Sequence, residues 1–231
     1  MAYEIYKPEW GGNCPIRGVL FDMDGLVLDT EKLYSRFWME ACHFYGLAMT
    51  YEQSLGMRAL NSQMGEAQLK AYFGPDTNYP QLRSKRIELM EAYVDENGVD
   101  LKPGIRELLA YLKEQGIPAA IASSSPVPRI RKYLVFHGLD TAFTALCSAR
   151  DVAKGKPEPD IYLHAAATLG LKPEECLALE DSPSGIRSAS SAGCLTVMIP
   201  DQDQPSEEIK ALLYGKAESL SDIITLLEAL K

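Results

Sequence analysis

Beyond Pro103 the chain alternates short apolar runs with helix-like stretches, and this rhythm restricts the fold more than any other feature of the 231 residues. Ile105, Leu108, Leu109 and Leu112 share one helical face, opened by Pro103 and stopped by Gly116. Residues 117–122 then read as a strand ending in Ser123-Ser124-Ser125, and residues 143–147 as another. A helix is expected over 160–169, a strand over 176–179 ending in Glu180-Asp181, a helix over 184–192 and a strand over 195–199. Glu218-Ser219-Leu220 reads as an edge strand before a last helix whose apolar face is Ile223, Ile224, Leu227 and Leu230. Upstream, Arg17-Gly-Val-Leu-Phe21 is apolar without alternation, as suits a strand covered on both faces, and it stops at Asp22-Met-Asp-Gly25. Strands alternating with helices imply an α/β fold built on a doubly wound, Rossmann-like parallel sheet.

Between residues 30 and 100 the texture changes. Tyr34, Phe37, Trp38 and Ala41 recur at helical spacing, residues 81–94 are rich in helix formers, and Gly46, Gly56 and Gly74-Pro75 punctuate the stretch. The segment is expected to be a small helical domain, with its aromatic and Met stripes as core. The organisation is then an N-terminal extension (1–15), a core (16–29 and 101–231) and an inserted helical domain (30–100). The extension reads as irregular, ending in the Gly11-Gly12-Asn13 turn cluster.

A net charge of -9 argues against nucleic acid or an anionic membrane as partner, because either needs a basic surface. It leaves room for a small phosphate site made of specific groups. The five cysteines (Cys14, Cys42, Cys147, Cys176, Cys194) form no C-x-x-C pair, and most sit in apolar stretches, as reduced buried thiols do. The first residues lack the basic start and apolar run of a signal peptide, and no apolar stretch approaches a membrane span. A cytoplasmic monomer is expected.

In an open parallel sheet the functional groups lie beyond the carboxyl ends of the strands. Three apolar strands here end in polar clusters: Asp22-Met-Asp24, Ser123 and Glu180-Asp181. Lys156, in Gly155-Lys156-Pro157, lies in the loop before the next helix. Singly, each has an ordinary structural explanation as a turn, cap or loop; in this order, at strand ends, they point to one site. Carboxylates placed together repel unless a cation offsets them, and no His is near in sequence (His43, His137 and His164 are scattered), so an all-oxygen site favours Mg²⁺ over zinc. Asp22 and Asp181 are the expected side-chain ligands, with the Asp24 carbonyl as a third and Glu180 as a further candidate. Asp22 is read as the nucleophile on phosphorus, Asp24 as general acid and base, and Lys156 and Ser123 as the groups that hold the phosphoryl oxygens.

These motifs resemble those of the haloacid dehalogenase superfamily. Phe21-Asp22-Met-Asp24-Gly25-Leu-Val-Leu-Asp29-Thr30 resembles its first motif, Ser123 its second, Lys156 in GKPEPDIY its third, and Glu180-Asp181-Ser-Pro-Ser-Gly185 its fourth. The helical insertion after the first motif is similar to the cap of the β-phosphoglucomutase-like branch. In that branch the cap closes over a Rossmann-like core and contacts the substrate. The resemblance implies phosphoryl transfer, because Asp24 is lacking in the dehalogenases and phosphonatases. Tyr34 stands where β-phosphoglucomutases carry a His, which weakens a mutase reading and favours hydrolysis of small phosphorylated metabolites, as in the pseudouridine-5′-phosphatase and sugar-phosphate phosphatase branch. The resemblance also makes Ser124, Thr30 and Arg58 candidate substrate contacts. Lys85 and Arg86 are weaker candidates, more simply read as a solvated helix face.

Overall fold

The computed structural model describes residues 3–10, 15–58, 60, 62–201 and 204–231, so Gly11-Gly12-Asn13 and Cys14 lie outside the described residues. The chain divides into two compact units, Asp29–Asp100 and a larger one made of Met1–Leu28 with Leu101–Lys231.

The smaller unit is all helical: α1 (Thr30–Phe44), α2 (Tyr51–Leu55), α3 (Ser62–Phe73) and α4 (Tyr79–Asn97). Thr50 caps α2 in a reciprocal capping box with Gln53, and the Asn78 side chain caps α4. Helices α1 and α4 pack along each other. Trp38, Cys42, Met49, Met57, Leu69, Tyr79 and Leu82 form one buried cluster, so the aromatic and Met stripe is core. Arg86 corrects the expectation of a solvated face. It is 6% exposed, with its guanidinium 4.8 Å from the centre of the Tyr34 ring and 5.2 Å from that of Trp38. The flat cation lies against aromatic faces, which replace part of its lost hydration. Lys85 is also largely covered: its ammonium lies 4.2 Å from the Phe44 ring centre and pairs with Glu88 at 2.7 Å.

The larger unit is a Rossmann-like α/β fold. Its strands are β1 (Tyr3–Ile5), β2 (Gly18–Phe21), β3 (Ala119–Ser123), β4 (Ala145–Ser148), β5 (Cys176–Glu180), β6 (Leu195–Met198) and β7 (Gly215–Ala217). They form one seven-stranded sheet in the order β1-β7-β6-β5-β2-β3-β4. Strands β2 to β7 pair in parallel, and β1 joins antiparallel to β7. Two expectations are corrected here. Residues 3–5, read as irregular, are a sheet strand, and the strand expected at Glu218-Ser219-Leu220 lies at Gly215–Ala217, inside the sheet. A β-carbon on Gly215 would lie 2.4 Å from the Glu4 carbonyl oxygen, so glycine is what lets β1 approach.

The helices of this unit are α5 (Ile105–Glu114), α6 (Val127–Phe136), α7 (Asp160–Thr168), α8 (Pro183–Ala192), α9 (Glu207–Lys210) and α10 (Asp222–Ala229). On one face of the sheet, Leu20, Ala120, Ala122 and Ala178 meet Ile161, Tyr162, Ala165 and Ala166 of α7 and Ala189 of α8. Small residues on both sides allow close helix–sheet packing, and strand alternation turns Val19, Phe21, Ile121, Leu177 and Leu179 to the other face. There Phe21 packs edge-to-face on Phe143, with ring centres 5.6 Å apart. Cys42, Cys147, Cys176 and Cys194 are free and buried, and burial pushes each thiol up, Cys176 to about 12. Among the described residues no helix is long and apolar enough to cross a membrane.

Candidate active site

Register sets the site. Phe21 pairs with Leu179 and Ile121, so β2, β5 and β3 run side by side in one direction and end at one edge. The Asp22 amide continues the ladder, donating to the Leu179 carbonyl at 3.0 Å, which fixes the backbone of Asp22 beside Glu180. The chain then turns tightly: the amides of Val27 and Leu28 both donate to the Met23 carbonyl, and Gly25 sits at φ +91°. A β-carbon on Gly25 would fall 2.2 Å from an Asp181 carboxylate oxygen, so glycine serves both the turn and the approach of Asp181.

Lys156 reaches into this edge from its loop before α7. Its ammonium lies 2.5 Å from Asp22 Oδ1 and 2.6 Å from Glu180 Oε1, with side chains only 7%, 11% and 0% exposed. Asp22, Glu180 and Asp181 each offer an oxygen within 4.8 Å of the others, a group able to hold a divalent metal ion. Asp24 accepts a hydrogen bond at 3.1 Å from the Ser125 hydroxyl, while its Oδ1 is buried with no hydrogen-bond partner. Ser123, the last residue of β3, is fully buried, and its Oγ accepts from the Ser125 amide at 3.0 Å. Ser124 is exposed. Thr30 and Arg58 belong to the helical unit. Thr30 opens α1 and is buried, and Arg58 Nε donates to the Leu55 carbonyl at 3.1 Å.

Glu180 is the most heavily bonded group of the site. Oε1 accepts from Lys156 and, at 2.7 Å, from the Tyr162 hydroxyl. Oε2 accepts from the Ser182 hydroxyl at 3.1 Å and from the amides of Asp181 and Ser182 at 3.2 and 3.3 Å. Tyr162 and Ser125 were not singled out from the sequence. Tyr162 stands in the quoted GKPEPDIY stretch, where its spacing from Lys156 was available as a signal.

Burial pushes the Asp22 carboxyl up, to about 8, against the pull of the Lys156 ammonium and with the help of the Glu180 and Asp24 charges. For Lys156, burial acts to lower the ammonium, but Asp22 and Glu180 outweigh it, so the amine stays charged. The site thus contains a permanent cation beside carboxylates that resist being ionised together, and a divalent metal ion would offset that resistance.

Gly185, in the first turn of α8, faces the Glu180 carboxylate. A β-carbon there would lie 1.7 Å from Oε1. Gly185→Ala is therefore expected to displace Glu180, lowering stability by about 2 kcal/mol and turnover by about tenfold or more. Urea denaturation and steady-state kinetics on the same variant check both.

An aspartate held against a buried ammonium, beside carboxylates able to hold a metal ion, stands at the carboxyl edge of a parallel sheet, an arrangement suited to a phosphoric monoester hydrolase. A family model described as haloacid dehalogenase-like hydrolase matches residues 16–193, and the chain belongs to that family. It is 34% identical over 209 residues to hexitol phosphatase A of Escherichia coli (strain K12), covering 86% of this chain and 91% of that one. It is 31% identical over 199 residues to the β-phosphoglucomutase of Bacillus subtilis (strain 168), covering 82% and 85%. Among solved structures, it is similar to a HAD family hydrolase from Deinococcus radiodurans R1 with bound phosphate and sodium. There the TM-score is 0.79 and the identity 25%, over 94% of this chain and 97% of that one.

Proposed function

We propose that the chain is a magnesium-dependent phosphatase that hydrolyses small phosphorylated metabolites, sugar or nucleoside monophosphates, through an aspartyl-phosphate on Asp22. The observation that carries this reading is the Lys156 ammonium shared between Asp22 and Glu180, beside the acidic group completed by Asp181.

Asp22 attacks phosphorus, the ester P–O bond breaks, and Asp24 gives its proton to the departing alkoxide. Asp24 then takes a proton from a water molecule as that water attacks the phosphoryl group, and the bond to Asp22 breaks to release phosphate. The buried, unbonded Oδ1 of Asp24 supports this exchange role, since it is not committed to a protein donor. Lys156 neutralises phosphoryl oxygens while keeping Asp22 oriented, and Ser123 with nearby amides donates hydrogen bonds to them. Asp22 and Asp181, the Asp24 carbonyl and Glu180 are the candidate ligands for Mg²⁺, whose charge would offset that of the carboxylates and the substrate. Ser124, Thr30 and Arg58 are proposed as substrate contacts on the strength of the motif resemblance alone.

Phosphate release from a panel of sugar and nucleoside monophosphates tests the reading. Turnover with Mg²⁺ should fall by at least about a hundredfold on chelation with EDTA and return on adding Mg²⁺ back. Unchanged turnover in EDTA contradicts the metal dependence. Similarity to the B. subtilis mutase supports a second reading, interconversion of sugar phosphates. That activity would yield an isomeric sugar phosphate, little free phosphate, and a requirement for a bisphosphate activator.

A further inference from the structure

We propose that Tyr162 is a positioning residue for the phosphatase reaction: its hydroxyl fixes Glu180, and Glu180 in turn aims the Lys156 ammonium at Asp22. The inference rests on the proposed function but adds a residue to which no role was given there.

Tyr162 lies in the first turn of α7, fully buried, with its ring in the cluster formed with Leu20, Ala120 and Ala178. The sheet packing therefore holds the ring in place independently of the hydroxyl. From that position the hydroxyl donates to Glu180 Oε1 at 2.7 Å, the same oxygen that accepts from Lys156 at 2.6 Å. The ring also lies beside the ammonium, with the Lys156 Nζ 5.1 Å from its centre. A carboxylate oxygen shared by two donors has its direction fixed by both. Ser182 and the Asp181 and Ser182 amides hold the other oxygen, and Gly185, having no side chain, makes room for the carboxylate. Tyr162 is thus the one donor to Glu180 among the described residues that comes from α7, the helix that follows the Lys156 loop. The Lys154 amide donates to Asp160 Oδ1 at 3.2 Å, which ties that loop to the start of the same helix. Helix, loop amine and strand-end carboxylate are in this way connected through one phenol.

The phenol donates to Glu180 Oε1 and not to Asp22 or Asp24, which makes its role one of positioning.

The test is a double-mutant cycle on the full chain, with p-nitrophenyl phosphate and Mg²⁺. Tyr162→Phe keeps the ring and should lower kcat roughly tenfold or more, with KM within about twofold and a melting temperature lowered by no more than about ten degrees, so that the chain stays folded in the assay. In a Glu180→Ala background, where the hydroxyl has nothing to hold, adding Tyr162→Phe should change kcat by less than about twofold. Fully multiplicative effects, or a Tyr162→Phe enzyme with wild-type kcat, overturn the proposal. A second readout does not depend on turnover or on the Glu180→Ala chain folding: the ¹⁵N–¹H signal of the Lys156 ammonium, assigned by its loss in Lys156→Met. It should exchange slowly with water in the wild-type protein and visibly faster in Tyr162→Phe; equal exchange in the two overturns the proposal. If the wild-type chain releases no phosphate from any ester, the reading of the function fails, and this signal alone decides the role of Tyr162.

Discussion

Asp22→Asn is expected to lower kcat for phosphate release by at least about a thousandfold while leaving the melting temperature unchanged or slightly raised. The two halves of this result come from the same geometry. Asparagine keeps the shape of the side chain and one oxygen for Lys156, but it cannot attack phosphorus to give an acyl phosphate. The carboxyl it replaces is buried and is pushed up to about 8 by burial and by Glu180 and Asp24, so its ionised form is disfavoured in the fold. Removing that charge relieves repulsion while Lys156 keeps its contact with Glu180 at 2.6 Å. Steady-state kinetics with a scanning melt on the same preparation checks the prediction. Loss of activity with a large fall in melting temperature would mean that Asp22 is chiefly structural.

Lys156→Met is expected to have the opposite signature, losing both activity and stability. The ammonium bridges two carboxylates that are almost wholly inside the protein, and methionine fills much of its volume without its charge. Removing one partner of a buried ion pair typically costs about 3–5 kcal/mol, because the charge left behind has lost its water as well as its counter-ion. The pH dependence follows from the sign of the shift. Without the ammonium, which pulls against the effect of burial, the Asp22 carboxyl holds its proton still more tightly in the folded chain than in the unfolded one. Stability should then fall as pH rises above the ordinary carboxylate range. Urea denaturation near about pH 5 and about pH 8 should therefore show the smaller deficit at the lower pH. A deficit independent of pH would place the damage in packing rather than in unpaired charge.

Most parts of the site that the sequence disclosed share one property: Asp22, Ser123 and Glu180-Asp181 each stand at the abrupt end of an apolar run, while Lys156 comes from a loop. Asp22, Ser123 and Glu180-Asp181 could be assigned to one edge because parallel strands all end on the same side, and β5, β2 and β3 are consecutive neighbours in the sheet. The parts it hid depend on partners distant in the chain. Tyr162 looks like any aromatic on a helix until its hydroxyl is seen against Glu180. Arg86, beside Lys85, has the local appearance of a solvated charge, and only the rings of Tyr34 and Trp38 on another helix make it a buried residue. The strand Tyr3–Ile5 is too short to show a period, and its pairing is with Gly215–Ala217 near the other end of the chain. That same pairing places the last strand at Gly215–Ala217 and not at Glu218-Ser219-Leu220, because Gly215 makes room for the neighbouring strand.

The central claim is that phosphate passes through a covalent bond to Asp22. Rapid acid quenching of the enzyme with substrate and Mg²⁺, followed by peptide mass spectrometry, examines that bond directly. The peptide containing Asp22 should carry a single phosphoryl group that hydroxylamine removes. A phosphoryl group on any other residue, or unmodified protein at every time point while phosphate is being released, would contradict the account.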